Sequence, residues 1–376
     1  MQYHLVSETF YPETNGVAMT LHRLTLELVA RDISVSVIRP QQKEEVASRP
    51  QQPYREHLVR GFPIPSYPEL RFGFATTAYF KRLWLQERPS LVHVATEGPL
   101  GFCAIRAARA LKIPVISSFH TNFHEYGNYY RYTCLVKVAL SYLKFLHNKT
   151  EATYAPSDDV IVALTQSGFR NVRKLGRGVD SALFSPQKRS DALRQSWGVS
   201  PDAPVFLYTG RVASEKNIPL AIQCFEGVKR RLPAARMVIV GDGPLRKELE
   251  QKYSDVIFCG VQRGEALAQH YASADLFLFP SITETFGNVV TEAMASGLVV
   301  VSYDYAASKM LIESGTNGFT SAFNDTIAFE QQLLSAAQRR AEWPSIREKA
   351  REAVLPISWS RIIDEYLATL EHYKIT

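Results

Sequence analysis

Cysteine is scarce in this sequence, and the few cysteines are scattered. Among 376 residues there are four, Cys103, Cys134, Cys224 and Cys259, with no CxxC pair or other spacing typical of metal ligands. A disulfide framework and a zinc cluster are therefore both disfavoured. Because structural disulfides belong to oxidising compartments, this scarcity fits a reducing cytoplasm, where we expect the protein to act.

Long apolar runs are missing as well. No stretch reaches the ~18 apolar residues of a membrane span, and the opening MQYHLV has neither the basic nor the apolar segment of a secretory signal. We therefore expect any membrane contact to be peripheral. With 46% hydrophobic and 21% charged residues, the composition is that of a globular protein and excludes a disordered, collagenous or coiled-coil chain.

Several nucleotide and metal motifs are also missing. No GxxxxGK[ST] run occurs, which argues against P-loop phosphoryl transfer. The stretch VIVGDGPLR at 238–246 resembles a dinucleotide fingerprint, but Arg246 stands where the third glycine belongs, so hydride transfer is disfavoured. No Asp-x-Asp pair offers a carboxylate clamp for Mg²⁺ or Mn²⁺, and His120 and His124 lack a third ligand for zinc. The sequence thus predicts neither a metal site nor a cofactor.

The length and the charge distribution suggest two domains with different partners. A chain of 376 residues exceeds the ~250 to 300 at which a single core usually stops growing. The net charge is +6, but residues 1–190 hold 24 Lys and Arg against 15 Asp and Glu, whereas residues 191–376 hold 19 against 22. The basic first half indicates an anionic partner, such as a membrane surface, nucleic acid or an acidic substrate, or serves only solubility.

Short apolar runs rich in β-branched residues recur along the chain in two series, with helical spacing between several of them. Such runs are typical of parallel strands buried on both faces. The pattern predicts an α/β fold with two doubly wound domains. The predicted strands are Val35–Ile38, Leu91–Val94, Val115–Ser118, Val160–Leu164, Val205–Tyr208, Met237–Val240, Val256–Cys259, Leu276–Phe279 and Leu298–Ser302, and the predicted helices include Leu100–Leu111 and Ile218–Leu232.

A segment with glycine and proline separates the two series. Because LGRGVDSALFSP at 175–186 suits a linker, we place the domains at 1–185 and 186–357. Two such domains would bind ligands in a cleft outside the carboxyl ends of their strands. The final segment, Trp359–Tyr373, has apolar residues at helical spacing and is predicted to be a helix that caps one of the domains.

The segment ETFGNVVTE, at 284–292, follows a predicted strand and a turn. We predict a short helix here, capped by Thr283 or Thr285 and ended by Gly297. The first N–H groups of a helix bind anions, and a glycine lets the anion approach closely. The segment therefore predicts a diphosphate site built from the backbone of Phe286, Gly287 and Asn288.

Two glutamates bound this segment. Along a helix, Glu284 and Glu292 would lie about 12 Å apart at ~1.5 Å per residue. That span suits a nucleotide sugar, with one carboxylate on the sugar hydroxyls and the other on the ribose. By spacing alone the two residues also fit ordinary surface glutamates.

A basic loop, GRVASEKN at 210–217, follows the first predicted strand of the second domain. Gly210 opens the loop, and the cations Arg211 and Lys216 can converge on one diphosphate and replace a metal ion. Taken alone, the loop also fits a solvated basic turn. The anion-binding helix start predicted in the same domain favours the diphosphate.

In the first half, two segments follow predicted strands. Gly16 lies in a turn where a helix begins and would let the backbone approach a ligand, although a plain turn fits too. His120 follows the strand Val115–Ser118, and we predict that it faces a substrate.

The stretch 131–149 is predicted to be an amphipathic helix with Lys137 and Lys144 opposite an apolar face. This face could lie in a lipid interface or pack on its own domain.

Taken together, these motifs resemble glycosyltransferase family 4. The resemblance covers nearly the whole chain and implies the GT-B fold, with two Rossmann-like domains around a cleft and a C-terminal helix, about 358–376, that crosses back onto the first domain. It also implies retaining, metal-independent transfer of a sugar from a nucleotide-diphosphate donor. The motifs are Asn15–Val17, Ser118–Thr121, Gly176–Asp180, Gly210–Arg211 with Glu215–Asn217, Gly241–Pro244 and Glu284–Glu292.

The resemblance also implies roles for individual residues. Arg211 and Lys216 would neutralise the diphosphate and stabilise the leaving group. Glu284 would contact hydroxyls of the donor sugar and Glu292 the ribose. The other implied contacts are Gly16 beside the phosphates and His120 on the donor sugar, and on the acceptor side we predict His124, Tyr126, Lys137 and Lys144.

Two segments point to a branch within the family. TEGPLG at 96–101 and SFHTNF at 118–123 look most like GDP-mannose-dependent mannosyltransferases and sulfoquinovosyltransferases that glycosylate lipid acceptors. We therefore expect a cytoplasmic enzyme that is peripheral on the inner face of the membrane. The expected donor is GDP-mannose, as a first guess, and the expected acceptor is a lipid or a lipid-linked glycan. Where relatives often carry Gly-Gly-Pro, this chain has Ala306-Ala-Ser308.

Two other functions remain open at this point. A GT-B epimerase acting on a UDP-sugar would form product without any acceptor. A nucleic-acid-binding protein would use the basic first half and bind with steep salt dependence. Because the sequence has no RNP motif, helix-turn-helix or zinc finger, we expect no nucleic-acid partner.

Overall fold

A computed structural model describes residues 1–13, 15–42, 52–64, 67–120 and 133–373. The chain forms two compact units, Met1–Arg177 with Trp359–Thr376, and Gly178–Ser358. The first unit therefore ends eight residues before the predicted boundary at 185. Val179 and Phe184 lie in the core of the second unit, and the Val179 N–H donates to the Ile357 carbonyl at 3.0 Å, which places residues 178–186 of the predicted linker in that unit.

The first unit is built on an eight-stranded sheet in the order β4-β3-β2-β1-β5-β6-β7-β8. Neighbouring strands are parallel except β3 and β4, which are antiparallel. The strands are β1 (Gln2–Val6), β2 (Ser34–Pro40), β3 (Arg55–Ile64), β4 (Tyr67–Phe74), β5 (Leu91–Val94), β6 (Val115–Ser118), β7 (Thr153–Ala155) and β8 (Val172–Lys174). The helices are α1 (Gly16–Val29), α2 (Thr77–Glu87), α3 (Pro99–Ala110), α4 (Thr133–His147), α5 (Asp158–Gln166) and, from the end of the chain, α14 (Trp359–Leu370).

The second unit is built on a six-stranded parallel sheet in the order β11-β10-β9-β12-β13-β14. The strands are β9 (Val205–Thr209), β10 (Arg236–Val240), β11 (Val256–Gly260), β12 (Leu276–Phe279), β13 (Val299–Tyr303) and β14 (Phe319–Ser321). The helices are α6 (Asp191–Ser196), α7 (Ile218–Lys229), α8 (Arg246–Lys252), α9 (Gly264–Ala272), α10 (Asn288–Ala295), α11 (Ala307–Leu311), α12 (Thr326–Gln338) and α13 (Trp343–Val354). Short 3₁₀ turns lie at Pro186–Lys188, Ser214–Lys216, Arg340–Glu342 and, in the first unit, Glu371–Tyr373.

The strand order of the second unit is that of a doubly wound Rossmann sheet, and it reverses between β9 and β12. Every residue of β9, β12 and β13 is buried, because helices cover both faces of the sheet. The continuous apolar runs seen in the sequence have this origin. The predicted fold class, α/β with two Rossmann-like units, is confirmed.

One predicted strand is wrong. Val160–Leu164 lies within helix α5, although its β-branched residues favour a strand. The Ser157 hydroxyl oxygen accepts from the Val160 N–H, and Asp158 and Asp159 lie in the first turn, where a helix favours negative charge. These capping signals outweigh the β propensity of the run.

The C-terminal helix α14 packs in the first unit. Its residues Trp359, Ile363, Tyr366 and Leu370 are buried in one cluster with residues of β1 and α1. The Tyr366 hydroxyl lies 2.7 Å from that of Tyr3, a buried pair. Within the part of the chain that the structure describes, no helix is long and apolar enough to cross a membrane.

Candidate active site

The predicted donor residues of the second unit gather where the strand order reverses. Ligands of doubly wound sheets bind outside the carboxyl ends of the strands at this place. Arg211 and Lys216 follow β9, and Glu284 follows β12, the strand beside it. The Ile282 N–H donates to the Glu215 carbonyl at 3.2 Å, so the two loops are tied directly together.

Glycines let the loop after β9 sit against the loop after β10. Gly210 has φ 142°, and a Cβ on Gly241 would lie 1.9 Å from the Gly210 carbonyl oxygen. A Cβ on Gly243 would lie 2.5 Å from the Val212 carbonyl oxygen. The Val212 N–H donates to the Asp242 carbonyl at 2.9 Å. The motif that resembles a dinucleotide fingerprint therefore supports the backbone of the basic loop.

Lys216 is fixed by the loop that follows β12. Its Nζ donates to Glu284 Oε1 at 2.6 Å and to the Thr283 carbonyl at 2.8 Å, and its side chain is only 18% exposed. An ammonium group has three N–H donors, so one remains without a partner among the described residues. Lys216 therefore has a fixed position and one hydrogen-bond donor to offer.

Only one of the two carboxylate oxygens of Glu284 has hydrogen-bond partners among the described residues. Its Oε1 also accepts from the Ser281 hydroxyl at 2.8 Å, whereas Oε2 has no hydrogen-bond partner among the described residues. The Tyr305 hydroxyl, from the loop after β13, donates to the Glu284 carbonyl at 2.7 Å. Two loops thus fix the carboxylate, a third fixes the backbone of Glu284, and one carboxylate oxygen is left for a ligand.

Helix α10 begins differently from the prediction. Its N-cap is Gly287, with φ 92° and ψ 59°, and no side chain caps it, so neither Thr283 nor Thr285 has the predicted role. The left-handed conformation of the cap suits glycine and brings the chain into the helix within one residue. Phe286 is buried, and its carbonyl accepts from the Ala307 N–H at 2.7 Å. Gly297 follows the helix in the left-handed conformation, at φ 73°, close to its predicted end.

The loop after β13 has an alanine, Ala306, in a strained backbone conformation. Ala306 has φ 52° and ψ −128°, a conformation that residues with a Cβ rarely adopt. The Ala307 N–H donates to the Phe286 carbonyl, so the strained residue lies directly beside the start of α10. The alanine therefore keeps the backbone path that a glycine would adopt without strain.

Glu292 lies one turn further along α10, in a buried setting. Its Oε2 accepts from the Tyr271 hydroxyl at 2.9 Å, and the same hydroxyl contacts the Thr209 hydroxyl at the end of β9. Burial raises the pKa of the Glu292 carboxyl to about 7, while the Tyr271 hydrogen bond opposes this rise. Near neutral pH the carboxyl is therefore divided between its neutral and charged forms, and a ligand hydroxyl that donates to it would favour the charged form.

Arg211 is the most exposed of these side chains. It is 40% exposed, and its guanidinium lies 3.8 Å from Glu215 Oε1. The buried Tyr208 donates its hydroxyl hydrogen to the Arg211 carbonyl at 3.0 Å and so holds the backbone of the residue. The partly exposed guanidinium can therefore be reached by an anion from solvent.

In the first unit, His120 follows β6 as predicted. Its Nδ1 lies 3.0 Å from a terminal nitrogen of the buried Arg177. Burial, and then the charge of Arg177, lowers the pKa of His120 well below its usual value of 6.5, so the ring is neutral at physiological pH. His124 and Tyr126, the predicted acceptor residues nearest to it, lie outside the described residues.

Gly16 is the first residue of α1, and Asn15 caps this helix by accepting from the Ala18 N–H at 2.8 Å. A Cβ on Gly16 would meet no atom of the described residues within 4 Å. The described part of the fold therefore does not require a glycine here. The open space above this helix start is compatible with the predicted close approach of a ligand.

Helix α4 lies within the predicted amphipathic segment, 131–149, and only part of its apolar face is buried. Leu143 and Leu146 are buried in the first unit, whereas Val138 is 62% exposed. Tyr142 and Phe145 are exposed on the same outer surface, beside exposed Lys137 and Lys144. The helix therefore packs with one side and presents apolar and basic side chains on the other.

No group of three His, Cys, Asp or Glu side chains within the described ranges is arranged to hold a metal ion.

The sequence did not reveal the residues that hold the site in place. Tyr208, Tyr271, Ser281 and Tyr305 each contact a predicted site residue. Ser281 and Tyr208 lie only three residues before Glu284 and Arg211, so local spacing offered a signal for both. Tyr271 and Tyr305 belong to distant segments, and their contacts follow from the packing of α9 beside β9 and from the pairing of β12 with β13.

Comparisons with known proteins identify the fold and the class of protein. The family described as Glycosyltransferase Family 4 matches residues 14–183, and the family described as Glycosyl transferases group 1 matches residues 203–339. The structure of sucrose-phosphate synthase from Thermosynechococcus elongatus matches with a TM-score of 0.78 and 17% identity, over 99% of this chain and 98% of that one. The two units and these matches define a glycosyltransferase of the GT-B fold.

Similar curated proteins identify the family. A GDP-mannose-dependent alpha-mannosyltransferase of Corynebacterium glutamicum is 32% identical over 94% of this chain and 86% of its own. Sulfoquinovosyl transferase SQD2 of Arabidopsis thaliana is 31% identical over 80% and 60%. Alpha-monoglucosyldiacylglycerol synthase of Streptococcus pneumoniae is 27% identical over 81% and 71%. The chain belongs to glycosyltransferase family 4, which confirms the resemblance seen in the sequence.

Proposed function

We propose that this enzyme transfers a hexose, with mannose from GDP-mannose as the first choice, to a lipid or lipid-linked glycan acceptor at an anionic membrane surface. The transfer retains the anomeric configuration and uses no metal ion. The observation that carries the proposal is the contact between Lys216 and Glu284, 2.6 Å long, beside the uncapped start of α10. It joins a cation for a diphosphate to a carboxylate for a sugar.

The diphosphate would be bound by three groups of the second unit. Lys216 has one N–H left, Arg211 has a partly exposed guanidinium, and α10 presents the positive end of its dipole. Negative charge grows on the diphosphate as its bond to the sugar breaks, so fixed donors at this place stabilise the transition state. These residues would supply the charge that a metal ion supplies elsewhere.

The sugar and the ribose would be bound by the two carboxylates. Glu284 Oε2 is open to accept hydrogen bonds from sugar hydroxyls, while Oε1 stays on Lys216. Glu292, held by Tyr271, would accept from the ribose. Both contacts follow from carboxylates that the protein has positioned but not fully satisfied.

Retention would follow from attack on the face of the leaving group. The acceptor oxygen bonds to the anomeric carbon as the bond from that carbon to the diphosphate oxygen breaks, and a phosphate oxygen takes the acceptor proton. The protein then needs no general base. Its part is to hold donor and acceptor together and to stabilise the departing diphosphate.

The choice of donor and acceptor rests on the relatives and on α4. The relative from Corynebacterium is named for GDP-mannose, and the one from Streptococcus for a glucosyl diacylglycerol. The exposed Val138 and Phe145, flanked by lysines, form an outer face suited to an anionic lipid surface. The enzyme would therefore work at the cytoplasmic face of a membrane without spanning it.

The test is a transfer assay with purified protein. GDP-mannose, GDP-glucose, UDP-glucose and UDP-galactose are each incubated with and without diacylglycerol or phosphatidylinositol in vesicles, with EDTA present throughout. We expect an α-mannosyl lipid from GDP-mannose, identified by the one-bond ¹³C–¹H coupling at the anomeric carbon. A β-linked product would contradict retention, and a new sugar nucleotide formed without acceptor would indicate an epimerase. No turnover of any donor would overturn the proposal.

A further inference from the structure

The contact between Arg177 and His120 determines where His120 carries its proton. Arg177 is buried, and one of its terminal nitrogens donates to the carbonyls of Leu175 at 3.0 Å and Gly176 at 3.3 Å. The other terminal nitrogen lies 3.0 Å from His120 Nδ1. A guanidinium group has only donors, so His120 Nδ1 must be the acceptor and carries no hydrogen.

The other nitrogen of the ring then carries the hydrogen. The ring is neutral, because burial and the facing groups Arg177, His93 and His147 all lower the pKa of His120. A neutral imidazole with a bare Nδ1 has its proton on Nε2. This Nε2 is buried and has no hydrogen-bond partner among the described residues.

The neighbouring histidines do not supply that partner. Both ring nitrogens of His93 are occupied, by the hydroxyls of Tyr3 and Ser118 at 2.5 Å each. His147 contacts the Ser117 hydroxyl at 2.8 Å and Glu97 Oε1 at 3.3 Å. A buried N–H without an acceptor is costly, and a ligand oxygen that accepts from it removes this cost.

We propose that Arg177 is a positioning residue that locks His120 in the Nε2–H tautomer, so that the ring donates a hydrogen bond to an oxygen of the donor sugar. The identity of this ligand rests on the proposed function, whereas the tautomer does not. Arg177 acts through His120 alone and needs no contact with the substrate. The GRGVD segment, 176–180, thereby gains a role beyond that of a linker.

Nitrogen NMR of the protein without substrate tests the tautomer directly. The nine histidines are labelled with ¹⁵N, and a His120→Gln variant assigns the His120 signals. From pH 5.5 to 8.5 we expect a protonated Nε2, an unprotonated Nδ1 and no titration. A protonated Nδ1, or titration of the ring near its usual pKa, would overturn the proposal whether or not the protein transfers any sugar.

The variant Arg177→Met tests the consequence for catalysis. His120 should then populate both tautomers, and kcat for transfer should fall about tenfold at pH 8. At pH 6 the loss should be smaller, because a protonated ring again has a hydrogen on Nε2. An equal loss at both pH values, or none, would contradict the role.

Two further variants separate positioning from packing. Arg177→Lys keeps a donor for Nδ1 and should recover part of kcat. Arg173→Met, which removes a hydrogen bond to the Thr369 carbonyl in the same unit, should leave the His120 spectrum and the pH profile unchanged. If Arg173→Met reproduces the effect of Arg177→Met, the effect is structural and the proposal fails.

Discussion

At the scale of single residues, the donor site consists of charged groups that the protein holds but does not fully satisfy. Lys216 makes two hydrogen bonds and keeps one donor, and Glu284 uses one oxygen and keeps the other. A pair that satisfied itself completely would have little to offer a ligand. The incomplete pairing is therefore the feature that distinguishes this contact from an ordinary salt bridge.

Glu292 makes stability depend on pH. Its pKa is raised to about 7, above the ordinary value of 4.5, so the folded state binds its proton more tightly than the unfolded state. Its contribution is most favourable below about pH 4.5 and is lost as the pH rises through about 7. Glu292→Gln should therefore raise the free energy of unfolding by about 2 kcal/mol at pH 8 and by little at pH 5.

Urea unfolding at both pH values measures this difference. Exposed Glu352→Gln on α13 is the matched control and should change stability at neither pH. If Glu292→Gln raises the free energy of unfolding as much at pH 5 as at pH 8, the Glu292 carboxyl is not the source of the pH dependence.

The sequence predicted the charged residues of the site better than it predicted the residues that hold them in place. Lys216 and Glu284 could be found because each stands in a short motif after a predicted strand, and the structure joins them. Tyr271 could not be found, since its contact with Glu292 depends on helix α9 lying beside β9. Such contacts between distant segments leave no periodic signal in the chain.

At the scale of elements, the loop after β9 depends on the glycines of the loop after β10. Gly241→Ala would place a Cβ 1.9 Å from the Gly210 carbonyl oxygen, so the backbone must move. We expect a loss of about 3 kcal/mol or more in the free energy of unfolding, because the clash is with backbone rather than with a flexible side chain.

Gly264→Ala is the control for this change. Gly264 also has a positive φ, 53°, but a Cβ there meets no atom within 4 Å in the part of the chain that the structure describes. It should cost only about 1 kcal/mol, the strain of the left-handed conformation. Equal losses for the two variants in chemical unfolding would show that the close approach of the loops does not matter.

Helix α4 combines an internal and an external role. Val138 is 62% exposed on the outer face, and Val138→Ser should weaken binding to anionic vesicles about tenfold, because burying a valine side chain contributes ~1.5 kcal/mol or more. Ile327, 69% exposed on α12 of the second unit, provides the control Ile327→Ser. Vesicle co-sedimentation measures both, and equal effects, or none, would exclude α4 as the membrane contact.

Elements were predicted well where strands are buried on both faces and less well elsewhere. β9 and β12 read as continuous apolar runs, because every residue in them is buried. In α5, by contrast, only Leu164 is buried, so the hydrophobic pattern of Val160–Leu164 carries little information about its structure. The sequence left open whether the apolar face of α4 is covered for a related reason: an apolar stripe does not show which part of it another element covers.

At the scale of the whole molecule, charge and chemistry divide between the two units. Residues 1–177 and 359–376 hold 24 Lys and Arg against 17 Asp and Glu, whereas residues 178–358 hold 19 against 20. The proposed diphosphate site therefore lies in the less basic unit and depends on a few placed cations. The excess charge of the other unit is better suited to a membrane surface.

If the loop-held Lys216 binds the diphosphate of the donor, its removal must weaken the binding of a nucleoside diphosphate. Titration calorimetry of GDP, with UDP in parallel, tests it on three proteins: wild type, Lys216→Ala and Lys229→Ala. Lys229 lies at the other end of α7 and also pairs with a carboxylate, Asp255, at 2.8 Å.

We expect GDP to bind wild type and Lys229→Ala alike and to bind Lys216→Ala at least tenfold more weakly, since a charge-assisted hydrogen bond to phosphate is lost. Equal GDP affinity in all three proteins, or no binding of either nucleotide to any of them, would show that Lys216 does not bind the diphosphate.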